Sequence, residues 1–209
     1  MKFIEKYKQY GFVNFIQRLA LGVMARLGIS INKWLVCTQD IVVLNQKTIS
    51  INDKFNIKTL TYSDFENSNR FDSDKLVSFK ERYEKESYKS FGVFDDKEEL
   101  AYYCWISLKE FQFSKNLYQM NLTESQGLLF DAFCFSEFRG QKLHGFMNFY
   151  RLNKLLEFGK SEAVVVLLSQ NTPARKSQKR AGFRCSKVIT TYSVFGKKGH
   201  FVTNKKINL

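Results

Sequence analysis

The sequence predicts an α/β domain of the α+β type, preceded by an N-terminal amphipathic helical extension. From residue 56 onward, the hydrophobic patterns alternate between strand and helix in the order β-α-β-β-β-α-β-α-β-β. In the middle of that order, over residues 133–145, an apolar strand runs through an Arg-Gly turn directly into an amphipathic helix. The composition is 44% hydrophobic and 16% aromatic, with a single proline. Such a composition is typical of a packed globular protein and excludes a disordered chain.

Residues 1–54 form the first predicted domain. Apolar residues recur near the helical period from Phe3 to Leu27, with Lys and Arg between them, which predicts a basic amphipathic helix. Two interpretations remain open: docking on an anionic membrane surface, or packing on the rest of the protein or on a second subunit of a homodimer. Packing is favoured, because an amphipathic pattern alone does not distinguish lipid from protein. No apolar run is long enough to span a bilayer, and Glu5 and Arg18 interrupt any signal peptide.

Short strands around an Asn45-Gln46 turn are predicted over residues 34–51, and the alternating elements then form a second predicted domain, residues 55–209. Its first strand covers Ile57 to Tyr62, and its first helix, capped at Asp72 or Ser73, ends at Glu86. The remaining predicted elements are a hairpin (91–94 and 100–106), a strand (128–135), a helix (141–158), a buried strand (163–168), a short helix from Pro173 to about Arg180 that Gly182 terminates, and a closing hairpin (185–195 and 200–203).

Charge and cysteine content indicate the class of partner and the cellular compartment. The net charge is +13, and after Arg151 the only acidic residues are Glu157 and Glu162. The excess of positive charge favours an anionic partner, although a solvated basic surface explains many of these lysines equally well. The four cysteines have no C-x-x-C spacing, which predicts reduced, buried thiols in a cytoplasmic protein. With two histidines and no paired Cys/His ligands, no metal site is expected.

The Arg139-Gly140 turn points several backbone N–H groups at one spot, with the positive end of a helix dipole behind them. This arrangement is suited to a pyrophosphate. A second segment follows about thirty residues later, with Asn171 to Ala174 and then Ala181 to Phe183.

Together these two segments resemble the GCN5-related N-acetyltransferase (GNAT) superfamily, which holds the pyrophosphate of acetyl-CoA in an Arg/Gln-x-x-Gly-x-Gly/Ala loop. Cys134-Phe135-Ser136 matches the bend before that loop, and Arg139 to His144 matches the loop itself. The family's Asn-x-x-Ala…Gly-Phe segment is matched by Asn171, Ala174, Gly182 and Phe183. The resemblance covers residues 55–197. It implies a mixed, mostly antiparallel central sheet that is splayed in the middle and flanked by helices.

The resemblance implies transfer of an acetyl group from acetyl-CoA, a co-substrate, to an amine acceptor, without a metal. The sequence is similar in general character to acetyltransferases of bacterial surface-polysaccharide pathways. The expected small-molecule acceptor is therefore an amino sugar, carried on a nucleotide or a lipid diphosphate. The residues expected to contact acetyl-CoA are Phe133, Cys134, Phe135, Arg139, Gly140, Gln141, Lys142, Leu143, His144, Gly145, Asn171 and Gln178.

The sequence departs from the family pattern at several positions. Lys142 and His144 stand where Gly and Gly/Ala are usual, and Gly145 comes one residue late. Gln178 stands where the family places a Tyr as general acid, and an amide cannot supply a proton. The alternative function is therefore a non-catalytic domain that binds CoA, an anionic membrane or nucleic acid, although no nucleic-acid-binding motif is present.

Two carboxylates are candidates for catalysis. Asp131 interrupts an apolar strand beside the expected reaction centre, where a base must take a proton from the acceptor amine. A solvent-facing strand residue is the equally weighted alternative for Asp131. Glu137 at the bend is the second candidate. His144 is expected to be a packing or phosphate-contact residue rather than a base.

Overall fold

The computed structural model describes residues 22–24, 26–42, 51–113 and 117–207. The predicted α+β class is confirmed, with mostly antiparallel strands flanked by helices. The strands are β1 (Ile29–Asp40), β2 (Asn56–Thr59), β3 (Tyr88–Phe94), β4 (Leu100–Ser107), β5 (Glu110–Phe113), β6 (Tyr118–Asn121), β7 (Gln126–Cys134), β8 (Glu162–Leu168), β9 (Arg184–Val194) and β10 (Lys197–Ile207). The helices are α1 (Tyr62–Asn67), α2 (Ser73–Tyr83), α3 (Leu143–Glu157) and α4 (Thr172–Arg180), with a 3-10 turn at Ser136–Phe138.

The chain divides into two compact units. The central unit contains residues 40–111 and 121–164, and the terminal unit contains residues 1–39, 112–120 and 165–209. Strand β8 begins in the central unit and ends in the terminal unit. The division at residue 54 expected from the sequence stays a prediction.

The central unit is built on an antiparallel sheet in the order β2-β3-β4-β7. Every residue of β4 is buried, and the rings of Phe65 in α1 and Phe79 in α2 pack on Trp105 with centroids 5.8 and 5.6 Å away. Aromatic packing of this kind anchors both helices to one face of the sheet. Helix α2 begins at Asp72, whose Oδ1 accepts a hydrogen bond of 2.8 Å from the N–H of Lys75, as the predicted cap requires.

Helix α3 packs on β4 and β7. Its buried side chains include Leu143, Met147 and Leu155, which recur at helical spacing and form one apolar stripe. The helix thus buries one side and leaves its N-terminal end at the turn that follows β7. Helix α1 and the β5–β6 pair have no counterpart among the predicted elements.

The terminal unit contains an antiparallel sheet in which β9 lies between β10 and β1. The N–H of Ser169, directly after β8, donates to the carbonyl of Lys33 in β1 over 2.8 Å. Helix α4 has its proline in the first turn, as predicted, and its Asn171 cap accepts from the N–H of Ala174. It ends before Gly182, whose φ of 92° is the left-handed conformation expected of a terminating glycine.

The prediction of unpaired thiols is wrong for two of the four cysteines. The β1–β9 register places Cys37 opposite Cys185, and the two are joined by a disulfide. Cys104 and Cys134 are free thiols. Cys37 and Cys185 are 148 positions apart in the sequence, so no local motif reveals this pairing. The cysteine content therefore no longer supports the expected cytoplasmic location, which stays a prediction.

Most of the predicted helix from Phe3 to Leu27, and the predicted turn at Asn45-Gln46, lie outside the described residues. Residues 22–24 and 26 are helical. Within the part of the chain that the structure describes, no helix is long and apolar enough to cross a bilayer. The same residues contain no cluster of His, Cys, Asp and Glu side chains suited to a metal ion.

Candidate functional site

Strand β7 contains a bulge in its pairing with β4. Phe130 pairs with Trp105 and Phe133 pairs with Tyr103, so Asp131 and Ala132 together oppose the single residue between Trp105 and Tyr103. Asp131 adopts a left-handed backbone conformation with a φ of 40°. A bulge of this kind bends its strand and changes the direction in which side chains point, and bulges are frequent beside active sites.

The carboxylate of Asp131 is held by two cations from α2. Its Oδ2 accepts from Lys75 Nζ over 2.9 Å and from Arg82 Nη1 over 2.5 Å. The hydroxyl of Tyr103 donates to Oδ1 over 3.4 Å. Burial raises the pKa of Asp131, but the charges and hydrogen bonds of Arg82 and Lys75 outweigh burial and leave this pKa below its usual value.

The second candidate carboxylate is also paired. Glu137 lies in the 3-10 turn and accepts a hydrogen bond from the guanidinium of Arg70, which lowers the pKa of Glu137 to about 2. A general base works best with a pKa near the working pH, so neither Glu137 nor Asp131 is a strong base in this arrangement. The catalytic roles of both residues stay predictions.

The partners of these carboxylates were not among the residues predicted from the sequence. Lys75, Phe79 and Arg82 are spaced by four and three residues in α2, so they share one helix face. Both cations lie near the ring of Phe79, within 5.0 Å for Lys75 and 5.3 Å for Arg82. The sequence does carry a signal for this cluster: two cations flank an apolar residue on one face of the helix. Such a pattern predicts that an acidic side chain of the sheet lies opposite the helix.

The predicted phosphate loop follows β7 and its 3-10 turn. Arg139 is exposed, and its Nε donates to the carbonyl of Cys134 over 3.2 Å. Gly140 has a φ of 84°, and a Cβ added there would meet no atom within 4 Å. The loop thus turns through a left-handed glycine that faces open space, with a guanidinium beside it.

Helix α3 begins without a side-chain cap. Lys142 occupies the N-cap position in a left-handed conformation, and the first turn carries no acidic residue. The first helical N–H groups have no partner inside an α-helix, and here no side chain accepts from them at the cap. Gly145, in the same turn, also faces open space. The loop and the helix therefore present uncapped N–H groups and a positive dipole end at one place, which suits a phosphate.

Lys142 has a φ of 62°, a conformation that costs a residue with a Cβ more than it costs glycine. We expect Lys142→Gly to raise the free energy of unfolding by about 0.5–1 kcal/mol, measured by urea denaturation. Lys142→Ala is the matched control, because it removes the same charge and keeps the Cβ. An equal gain in Lys142→Ala would assign the effect to charge and contradict the backbone explanation.

His144 belongs to a polar network on α3. Its Nδ1 lies 3.0 Å from the hydroxyl of Tyr102, and its Nε2 lies 3.4 Å from Asn148 Nδ2. Asn148 also accepts from the buried Arg151, which donates to the carbonyl of Phe130 over 3.4 Å. Desolvation of the ring, and then the charge of Arg151, lower the pKa of His144 to about 4, although the residue as a whole is exposed. His144 is therefore neutral at pH 7, which favours a packing role over a base.

The imidazole of His144 binds a proton more weakly in the folded protein than in the unfolded chain. The free energy of unfolding therefore falls as the pH drops from 6.5 toward about 4. We expect His144→Gln to flatten this part of the melting temperature's dependence on pH. His200→Gln, which removes the chain's other histidine, is the matched control. A slope in His144→Gln equal to that of the wild type would contradict the assignment.

The remaining predicted site residues are distributed between the two units. Phe133 and Cys134 pair with β4, and the N–H of Phe135 donates to the carbonyl of Ala101. Phe133 is 41% exposed, so part of its ring is available to a ligand. Asn171 caps α4 and Gln178 is buried in the terminal unit. The side chain of Asn171 thus orients its own helix, and its expected contact with acetyl-CoA stays a prediction.

Comparisons with known proteins agree at the level of the fold. No protein-family model matches the chain, and no curated protein matches it. A Drosophila structure superposes with a TM-score of 0.59 at 14% identity, covering 88% of this chain and 58% of that one. A functionally unknown conserved protein from Staphylococcus epidermidis gives a TM-score of 0.54 at 12% identity, with 90% and 68% covered.

A tandem GNAT protein from the clavulanic acid biosynthesis pathway gives a TM-score of 0.55 at 13% identity, covering 88% of this chain and 57% of that one. This chain has the GNAT fold. It spans less than two thirds of the Drosophila and tandem proteins. The GNAT fold predicted from residues 133–145 and 171–183 is confirmed. The splay of the GNAT sheet and its pantetheine slot stay predictions.

Proposed function

We propose that this chain is an N-acetyltransferase that moves an acetyl group from acetyl-CoA to a small-molecule amine. One observation carries the proposal: the uncapped N-terminus of α3 follows an exposed Arg-Gly loop at the end of a bulged strand, within a GNAT fold. Each part of this arrangement suits acetyl-CoA. The N–H groups and dipole of α3 fit its pyrophosphate, and Arg139 and Lys142 supply charge.

In the proposed reaction, the lone pair of the neutral amine attacks the thioester carbonyl carbon. The C–N bond forms, the C–S bond breaks, and CoA leaves as a thiolate that is then protonated. A thiol with a pKa of about 8.5 is a fair leaving group near neutral pH. The reaction therefore tolerates a residue at position 178 that cannot donate a proton.

Asp131 remains the candidate base, and we propose that its pKa depends on the bound acceptor. Its pKa is held down by Lys75 and Arg82. An acceptor whose own anionic group draws one of these cations away would raise the pKa of Asp131 toward the range of a useful base. An amino sugar on a nucleotide or lipid diphosphate has such a group. Its negative charge also suits a chain with a net charge of +13, which supports the proposed acceptor and a role in polysaccharide biosynthesis.

The test is to incubate the protein with acetyl-CoA and three amines: an amino-sugar nucleotide, a lysine-containing peptide and a polyamine. Mass spectrometry then detects the gain of one acetyl group. We expect acetylation of the amino-sugar nucleotide. Acetylation of the peptide or polyamine alone would contradict the proposed acceptor. Tight binding of acetyl-CoA without acetylation of any amine would contradict the enzymatic function and favour a CoA-binding protein.

A further inference from the structure

The terminal unit contains a cavity whose lining includes no residue of the phosphate loop or of the Asp131 cluster. Its volume is about 600 Å3, within the range typical of small-molecule sites. Strands β1, β9 and β10 and helix α4 supply its walls. The cavity is therefore large enough to hold an organic ligand.

Four basic side chains line this cavity: Lys33, Arg175, Lys205 and Lys206. None of the described residues that line it is acidic. Within the described ranges, Lys33, Lys205 and Lys206 form no salt bridge. Positive charge of one sign gathered in a concave site raises the local concentration of anions.

A strand irregularity accounts for the position of two of these cations. Consecutive residues of a regular strand point to opposite faces. The β9–β10 register shifts between Asn204 and Ile207, so one extra residue lies in β10 at this point. Lys205 and Lys206, although adjacent in sequence, consequently both line the cavity. A regular β10 would turn one of the two lysines away.

The rest of the lining is largely apolar. Leu35, Val188, Phe201 and Ile207 contribute to it, and Phe201 is 53% exposed. Ser169, Thr190 and Thr203 add uncharged polar side chains. Arg175 donates from Nη1 to the carbonyl of Ser169 over 3.3 Å. Apolar walls with a small number of charged groups are typical of sites for ligands with an apolar body and one charged end.

We propose that this cavity binds a small organic anion, a carboxylate or phosphate attached to an apolar body. The lysines and Arg175 hold the anionic group, and Leu35, Val188 and Phe201 contact the body. The site is independent of the proposed acetyl transfer, because no residue of the phosphate loop takes part in it. It also commits to a soluble molecule rather than to a membrane surface, since the basic and apolar side chains line an open concavity of a size that suits such a molecule.

The test is a fluorescence titration with anilinonaphthalene sulfonate, an aromatic anion that brightens in apolar sites. We expect saturable binding that Lys205→Gln/Lys206→Gln weakens by about tenfold or more. Lys197→Gln/Lys198→Gln is the matched control. It removes the same charge from two exposed lysines of the same strand that do not line the cavity, and should change binding less than about twofold. Phe201→Ser, at an exposed position, should also weaken binding.

Several results would overturn the proposal. Equal weakening by the two double variants would indicate general attraction to a basic surface. Equally tight binding of neutral N-phenylnaphthylamine would show that the anionic group is not recognised. Displacement of the probe by acetyl-CoA would assign the cavity to the co-substrate. Displacement by vesicles of anionic lipid, with no displacement by soluble decanoate, would assign it to a membrane. Circular dichroism of each variant establishes that it is folded.

Discussion

Replacing Asp131 by alanine is expected to lower the free energy of unfolding by about 2–4 kcal/mol, the largest loss among the variants considered. The change leaves Lys75 and Arg82 facing each other without their shared carboxylate. It also places a residue that disfavours φ > 0 at a φ of 40°, which costs about 1 kcal/mol more. Because the three side chains are partly exposed, the expected loss is below that of a fully buried pair.

Asp131→Asn separates these two contributions, since asparagine tolerates the left-handed conformation. Its expected loss is about 1–2 kcal/mol, measured by urea denaturation at pH 7. Glu99→Gln, which removes an exposed partner of Arg70, is the matched control and should cost less than about 0.5 kcal/mol. Equal losses in Asp131→Asn and Glu99→Gln would contradict a special role for the carboxylate at the bulge.

The stabilisation by Asp131 should also depend on pH. The folded pKa lies below the unfolded value, so this stabilisation is complete above about pH 4 and is lost as the pH falls through the folded pKa. The wild type and Asp131→Asn should therefore converge in stability at acidic pH. A difference in their unfolding free energies that stays constant down to the acid transition would contradict the salt bridges.

The second large effect is expected on ligand binding. Arg139→Glu should weaken the affinity for acetyl-CoA by about 10- to 100-fold, because it removes a charge-assisted contact to the pyrophosphate and adds a repelling carboxylate. Arg139 is exposed, so the substitution should leave the fold intact. Isothermal titration calorimetry measures the change directly.

Arg180→Glu provides the matched control for this effect. Arg180 is also exposed, and its Nε likewise donates to a backbone carbonyl, that of Lys176. The two variants change the net charge equally. Comparable weakening in both would indicate that acetyl-CoA responds to the overall field of the protein, and would contradict a specific contact by Arg139.

Local signals in the sequence predicted the fold and the position of the Arg139-Gly140 turn. An apolar strand, an Arg-Gly turn and an amphipathic stripe identify the segment that becomes β7 and α3, because each signal depends on residues close together in the chain. The same holds for the Asp72 and Asn171 caps and for Gly182, where one side chain or one φ value defines a helix end. The prediction of the GNAT fold rested on such local features.

Features that depend on distant residues could not be predicted. The bulge at Asp131 arises from the register between β4 and β7, and its cations come from α2, about fifty residues earlier in the chain. The Cys37–Cys185 disulfide depends on the pairing of strands from opposite ends of the chain. Strand register follows from the packing of the whole sheet, which a single sequence does not display.

The most direct test of acetyl-CoA binding at the phosphate loop is an NMR titration of the 15N-labelled protein with acetyl-CoA. We predict that the largest amide shift changes occur at Gly140 and at the first turn of α3, Leu143, His144 and Gly145, whose N–H groups would bind the pyrophosphate. Acetylated pantetheine, which lacks the nucleotide and its phosphates, should leave these amides unshifted. Saturable binding with the main shifts elsewhere, or no binding up to about millimolar acetyl-CoA, would contradict the proposed site.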